Sequence, residues 1–139
     1  MVGLGCGARS YTRALHYSSD YAVGAAGVRE IIGRYVEADE AFEFADYGCE
    51  LDQEEQRRQW VIKSLLRSEG LDLAQYQMHF KDSAMTHLPE LERLIEAELV
   101  ERRDGKMIPT AAGLERSDAI GPWLYSEQVR EMMREFELH

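Results

Sequence analysis

The most legible patterning of apolar and polar positions begins near the middle of the chain. Trp60, Val61, Leu65 and Leu66, with Ser64 among them, form a stripe at helical spacing. Asp52 stands ahead of it as a side-chain cap, and Glu54 and Glu55 fall in the first turn, where the helix dipole favours acids. The pattern predicts a helix from Asp52 that Gly70 stops. Leu71, Asp72 and Leu73 lead into a short helix through about Phe80, with Leu73, Tyr76 and Phe80 three and four residues apart. Asp82 or Ser83 starts a third helix, amphipathic through Leu88, Leu91, Leu94, Ile95 and Leu99, in which Pro89 is tolerated only in a first turn. Two β-capable runs, 99–103 and 106–110, flank Asp104 and Gly105. That pair suits a type I′ hairpin turn, because both central residues take φ > 0. Thr110 caps a helix from Ala111 to about Trp123, and a last helix occupies Ser126 to Phe136.

The first fifty residues are less regular. Val28, Ile31, Ile32 and Tyr35 share one face of a helix predicted over Tyr21 to Glu37, while Phe42, Phe44 and Tyr47 suggest a short strand or extended segment within 40–51. Arg9 to Asp20 has no clear period and reads as loop. Gly3, Leu4, Gly5, Cys6, Gly7 and Ala8 fit the loose pattern GxGxxA, but only Met1 and Val2 precede them, too few for the strand that a phosphate-binding turn requires. The whole predicts a mainly α fold with a small β-hairpin, of the α+β class. Its order of helix, short helix, helix, hairpin and helix is that of a winged helix.

Composition narrows the function. With 45% hydrophobic and 30% charged residues the chain is of the ordinary globular kind. It contains no apolar run of the roughly 18 residues needed to span a bilayer and no secretory leader pattern, so a cytoplasmic location is expected. The net charge of -10 argues against a nucleic-acid partner. The segment Ala84 to Glu98, which would supply a recognition helix, has Arg93 against Glu90, Glu92, Glu96 and Glu98, and only the hairpin brings cations, Arg102, Arg103 and Lys106. Cys6 and Cys49 lack CxxC spacing, which argues against a zinc site. His79 and His87, with Met78 and Met85 nearby, raise haem ligation, but helix-end polar groups and core filling explain them more simply. Arg57, Arg58 and Lys63 read as a solvated charged face, with Glu54 placed to pair with Arg58 at i,i+4.

Several of these pieces recur together in a known family. The glycine run 3–8, the helix Arg57-Arg58-Gln59-Trp60-Val61-Ile62-Lys63-Ser64-Leu65-Leu66, then Leu88-Pro89-Glu90-Leu91, Leu99-Val100-Glu101 and Pro109-Thr110-Ala111-Ala112-Gly113-Leu114 resemble, in order and spacing, the C-terminal third of the oxygen-independent coproporphyrinogen III oxidase-like family of radical S-adenosylmethionine enzymes. The resemblance implies that residues 1–51 hold a barrel-end glycine turn, a loop and a connecting helix, and that 52–139 form a winged-helix-like cap. It implies that Gly3, Gly5, Gly7 and Ala8 let the backbone approach S-adenosylmethionine, with Arg9 beside it where the namesake enzyme has an apolar residue. His16, close to Tyr11, Arg13, Tyr17 and Tyr21, becomes a possible substrate contact. The parent would be an oxidoreductase whose [4Fe-4S] cluster sits on a CxxxCxxC motif in an N-terminal barrel, and three thiolates are more than Cys6 and Cys49 supply. The chain by itself is then expected to have no catalytic residue, no metal site and no activity, its partners being that barrel and a tetrapyrrole-like small molecule. A cap of this kind should show an exposed apolar face where the barrel docks. The alternative, an independent winged-helix module for protein interaction, should leave no such face.

Overall fold

The computed structural model describes residues 2, 3, 5, 7–18, 24–38 and 47–136. The chain divides into two compact units, Met1–Gln56 and Arg57–His139, with the boundary inside one helix.

In the first unit, β1 (Arg9–Tyr11), β2 (Leu15–Ser18) and β3 (Tyr47–Glu50) form an antiparallel sheet in the order β1-β2-β3. The expected loop over 9–20 is therefore a hairpin as far as Ser18. Its turn needs no glycine because Thr12 closes it: the Thr12 N–H donates to Leu15 O at 2.8 Å and the Leu15 N–H to Thr12 Oγ1 at 3.0 Å. The strand expected within 40–51 is β3, and Phe42 and Phe44 lie outside the described residues. Helix α1 (Ala25–Glu37) carries the predicted apolar face, with Tyr21 outside the described residues. Yet α1 buries no residue, and Val28, Ile32 and Val36 are 41%, 43% and 75% exposed.

Helix α2 (Gln53–Leu65) starts as its sequence predicts, the Glu55 N–H donating to Asp52 Oδ1 at 2.8 Å. It ends at Leu65, earlier than expected, and Gly70, at φ +70°, turns the chain into β4 (Leu71–Asp72), a strand with no sequence signal of its own. Asp72 then caps α3 (Leu73–Phe80), accepting from the Gln75 N–H at 2.8 Å. The next predicted helix is split at Leu88 and Pro89 into α4 (Ala84–His87) and α5 (Glu90–Glu96), because a proline can neither donate to the preceding turn nor fit behind it. Strands β5 (Val100–Arg103) and β6 (Lys106–Pro109) form the expected hairpin, with Asp104 at φ +51° and Gly105 at +77°. They make a second antiparallel sheet, ordered β4-β6-β5. The helix expected over 111–123 is two, α6 (Ala111–Glu115) and α7 (Ser117–Trp123), and α8 (Glu127–Phe136) follows, Ser126 Oγ accepting from the Val129 N–H at 3.1 Å. The class is mainly α with small antiparallel sheets, the α+β fold that the patterning predicts.

The core of the second unit gathers Val61 and Leu65 of α2, Leu71, Tyr76, Leu91, Met107 and Leu124, all fully buried. Arg58 is part of this packing rather than of a solvated face. Its side chain is 13% exposed, and Nη1 donates to Glu90 Oε1 at 3.3 Å and to Leu124 O at 3.0 Å, so one guanidinium joins α2 to the start of α5 and the end of α7. Arg57 is similarly enclosed, at 18%.

Two results should follow. Gly113 lies in α6 against Leu99 O, where an added Cβ would collide with backbone. Gly113→Ala should therefore destabilise by about 2 kcal/mol although alanine is the better helix former, whereas Gly33→Ala in α1, where a Cβ meets nothing within 4 Å, should not destabilise. Thermal melts of the two variants make the comparison. Arg58→Ala should cost about 2 kcal/mol in urea unfolding, since it strands the Glu90 carboxylate and the Leu124 carbonyl, and Arg58→Lys should recover only part, because its ammonium nitrogen falls one bond short of the position of Nη1.

Candidate functional site

The residues singled out in the glycine run are drawn together by the first sheet. Gly5 and Gly7 take φ of +106° and +71°, and the Ala8 N–H donates back to Gly5 O at 3.2 Å, which makes a tight turn that favours glycine at those two points. A Cβ at Gly5 or Gly7 would point into open space, so it is the backbone conformation that calls for glycine there. Gly3 differs, because a Cβ on it would stand 2.7 Å from Arg9 O. Its N–H donates to Ser10 Oγ at 3.0 Å, and Ser10 is 3% exposed. Ser10 thus anchors the turn to β1, a role that the sequence pattern does not reveal. Arg9 opens β1 and is exposed.

His16 comes back over the same region. It is paired in register with Tyr11, and the two rings stack with centroids 4.3 Å apart and an angle of 17°. On the other edge of β2 its register partner is Cys49. Gly48 beside Cys49 has no room for a side chain, since a Cβ there would meet His16 O and Tyr17. Burial, and then the nearby Glu55 carboxylate, push the Cys49 thiol above its ordinary range, which is opposite to what a thiolate ligand needs. Cys6 lies outside the described residues. Among the described residues, no three His, Cys, Asp or Glu side chains lie close enough together to hold a metal ion.

The second unit builds a different constellation, whose members the sequence pattern assigns to several simpler roles. Arg57 Nη1 is 3.2 Å from Asp82 Oδ2 and 2.9 Å from His87 Nδ1, and the guanidinium lies 5.8 Å from the Phe80 ring centre. Trp60 stacks on His79 with centroids 4.5 Å apart, and Phe80 meets Trp60 and His79 edge-on. Tyr76, fully buried, has a hydroxyl with no hydrogen-bond partner; burial raises its pKa, the Arg57 charge opposes that shift and Asp82 adds to it. His79 and His87 are each engaged by a different neighbour, a ring and a guanidinium. Met85 packs beside the core, whereas Met78 is 68% exposed and fills nothing.

Residues 51–115 match the model of the HemN C-terminal domain family. The match runs from Leu51, just before α2, to the last residue of α6, so it contains the second sheet and the Arg57 and Arg58 side chains. No match was found among curated proteins or among solved structures. Leu51–Glu115 thus matches the HemN C-terminal domain, the same segment that carries most of the sequence resemblance to the coproporphyrinogen oxidase-like family.

Proposed function

We propose that the chain serves as the cap of a radical S-adenosylmethionine oxidoreductase, docked on an N-terminal barrel that holds the [4Fe-4S] cluster, and that it has no activity apart from that barrel. The observation that carries this reading is α1. A helix with Val28, Ile32 and Val36 exposed along one face, and with no residue buried, is what a docking element offers when its partner is elsewhere. A self-sufficient module would have covered that face.

In this reading the glycine turn, through Gly3, Gly5, Gly7 and Ala8, brings bare backbone up to S-adenosylmethionine, with Arg9 beside it and His16 toward a tetrapyrrole-like substrate. Positive φ at Gly5 and Gly7 and the exposure of Arg9 support an accessible turn. When bound, S-adenosylmethionine and the cluster supply the radical. This chain's residues fit a place beside the former and not a hold on the latter, for which two cysteines are too few. The second unit is read as winged-helix-like, on its order of α2, α3 and α5 followed by the β5–β6 hairpin and the sheet β4-β6-β5. Its hairpin is a poor phosphate reader: Arg102 is held by Glu92 at 3.1 Å and Arg103 by Glu101. The place proposed for the enzyme is the cytoplasm; among the described residues no helix is long and apolar enough to cross a membrane.

The test uses the full-length gene product. Anaerobic reconstitution with iron and sulfide should give cluster absorbance, and its absence would sink the proposal. In the same protein Ile32→Glu should speed limited proteolysis between barrel and cap about tenfold, one decade for each 1.4 kcal/mol of lost docking. Unchanged cleavage would remove the barrel as the partner of α1.

A further inference from the structure

We propose, resting on the reading that puts the glycine turn beside S-adenosylmethionine, that Ser10 is the positioning residue of that turn. From behind β1 its hydroxyl fixes where the backbone of Gly5 to Ala8 stands, and so sets how tightly the ligand is taken.

Two hydrogen bonds close the turn, one inside the other. The inner runs from the Ala8 N–H to Gly5 O at 3.2 Å, the outer from the Gly3 N–H to Ser10 Oγ at 3.0 Å. The outer bond is made by a serine that is 3% exposed, so water does not compete for its acceptor. Gly3 can reach it only as glycine, because a Cβ there would stand 2.7 Å from Arg9 O and 2.8 Å from the Ala8 Cβ. Residue 3 is thus held against residues 8–10 by close backbone packing on one side and a buried acceptor on the other. Between them Gly5 and Gly7, at φ +106° and +71°, give the loop little stiffness of its own.

Alternation along β1 separates two tasks. Successive side chains of a strand lie on opposite faces, so Arg9 and Tyr11 share one face and Ser10 has the other. Register carries the first face across to β2, where Ser18 pairs with Arg9 and His16 with Tyr11, the last two with stacked rings. Arg9 and His16, proposed to lie toward ligand and substrate, therefore stand on one face, and the hydroxyl that holds the turn is on the other. Its loss leaves the Tyr11–His16 stack in place and frees the turn, whose backbone contacts to a ligand are sensitive to shifts on the order of 1 Å.

The test titrates S-adenosylmethionine into the reconstituted full-length protein. Ser10→Ala should raise the Kd about tenfold, the worth of one hydrogen bond, with cluster absorbance unchanged. Gly5→Ala, strained at φ +106°, probes the turn itself and should weaken binding as well. Weaker binding in Gly5→Ala with an unchanged Kd in Ser10→Ala, even where the latter melts lower, would overturn the positioning role and leave the turn beside the ligand. An unchanged Kd in both would remove the turn from the ligand, and the positioning role with it. A second measurement needs no variant: the wild-type Gly3 amide should exchange its hydrogen at least about tenfold more slowly than a free peptide. Exchange at the free rate would refute the anchor.

Discussion

Strand β6 has hydrogen-bonded neighbours on both edges, and the rest of the second unit is hung from it. On one side Leu71 and Asp72 pair with Met107 and Lys106; on the other, Val100 to Arg103 pair with Pro109 to Lys106. Side chains alternate across a strand, so a slip of one residue would turn Met107 and Pro109 outward and bring Lys106 and Ile108 in. The positive φ of Asp104 and Gly105 sets the register that prevents it. Two glycines mark where other segments come close to this sheet: Gly70 lies against Met107 O, and Gly113 against Leu99 O. Gly70 thus places the path into α3 against β6, and Gly113 places α6 against the residue that leads into β5.

Charge is used within the fold rather than displayed. Although the chain is acidic at -10, many arginines of the second unit are taken up by its own acids: Arg57 by Asp82, Arg58 by Glu90, Arg102 by Glu92, and Arg130 and Arg134 by Glu127. The exposed pairs contribute at most about 1 kcal/mol each. Arg58 is different in kind, because it is enclosed and bridges a carboxylate and a helix-terminal carbonyl.

Legibility followed the range of each interaction. Asp52 and Thr110 cap the helices that their positions suggest, since a cap bonds only two or three residues ahead. Strand β4 left no trace, because two residues carry no period and their partners, Met107 and Lys106, lie beyond three intervening helices and a further strand. The hairpin of β1 and β2 gave no signal for another reason: its turn is closed by a threonine side chain instead of a glycine pair. At the candidate site the glycine run was legible as a motif. The anchoring of Gly3 by Ser10 and the stacking of His16 on Tyr11 were not, since both depend on how the strands are placed.

Helices α1 and α2 show what each level decides. Both carry an apolar stripe at helical spacing, and the sequence alone determined that each would be a helix with one apolar face, because that signal is contained within about a dozen neighbouring residues. It likewise determined the Asp104–Gly105 turn and the resemblance to the C-terminal third of the coproporphyrinogen oxidase-like family. Only the tertiary structure decided that Val61 and Leu65 of α2 are covered while Val28, Ile32 and Val36 of α1 are not, and that Arg57 and Arg58 face inward to Asp82, His87 and Glu90. Which acid or carbonyl meets a given arginine depends on segments 25 to 66 residues away in the chain, and whether a face is covered depends on segments equally remote. No local pattern carries that information.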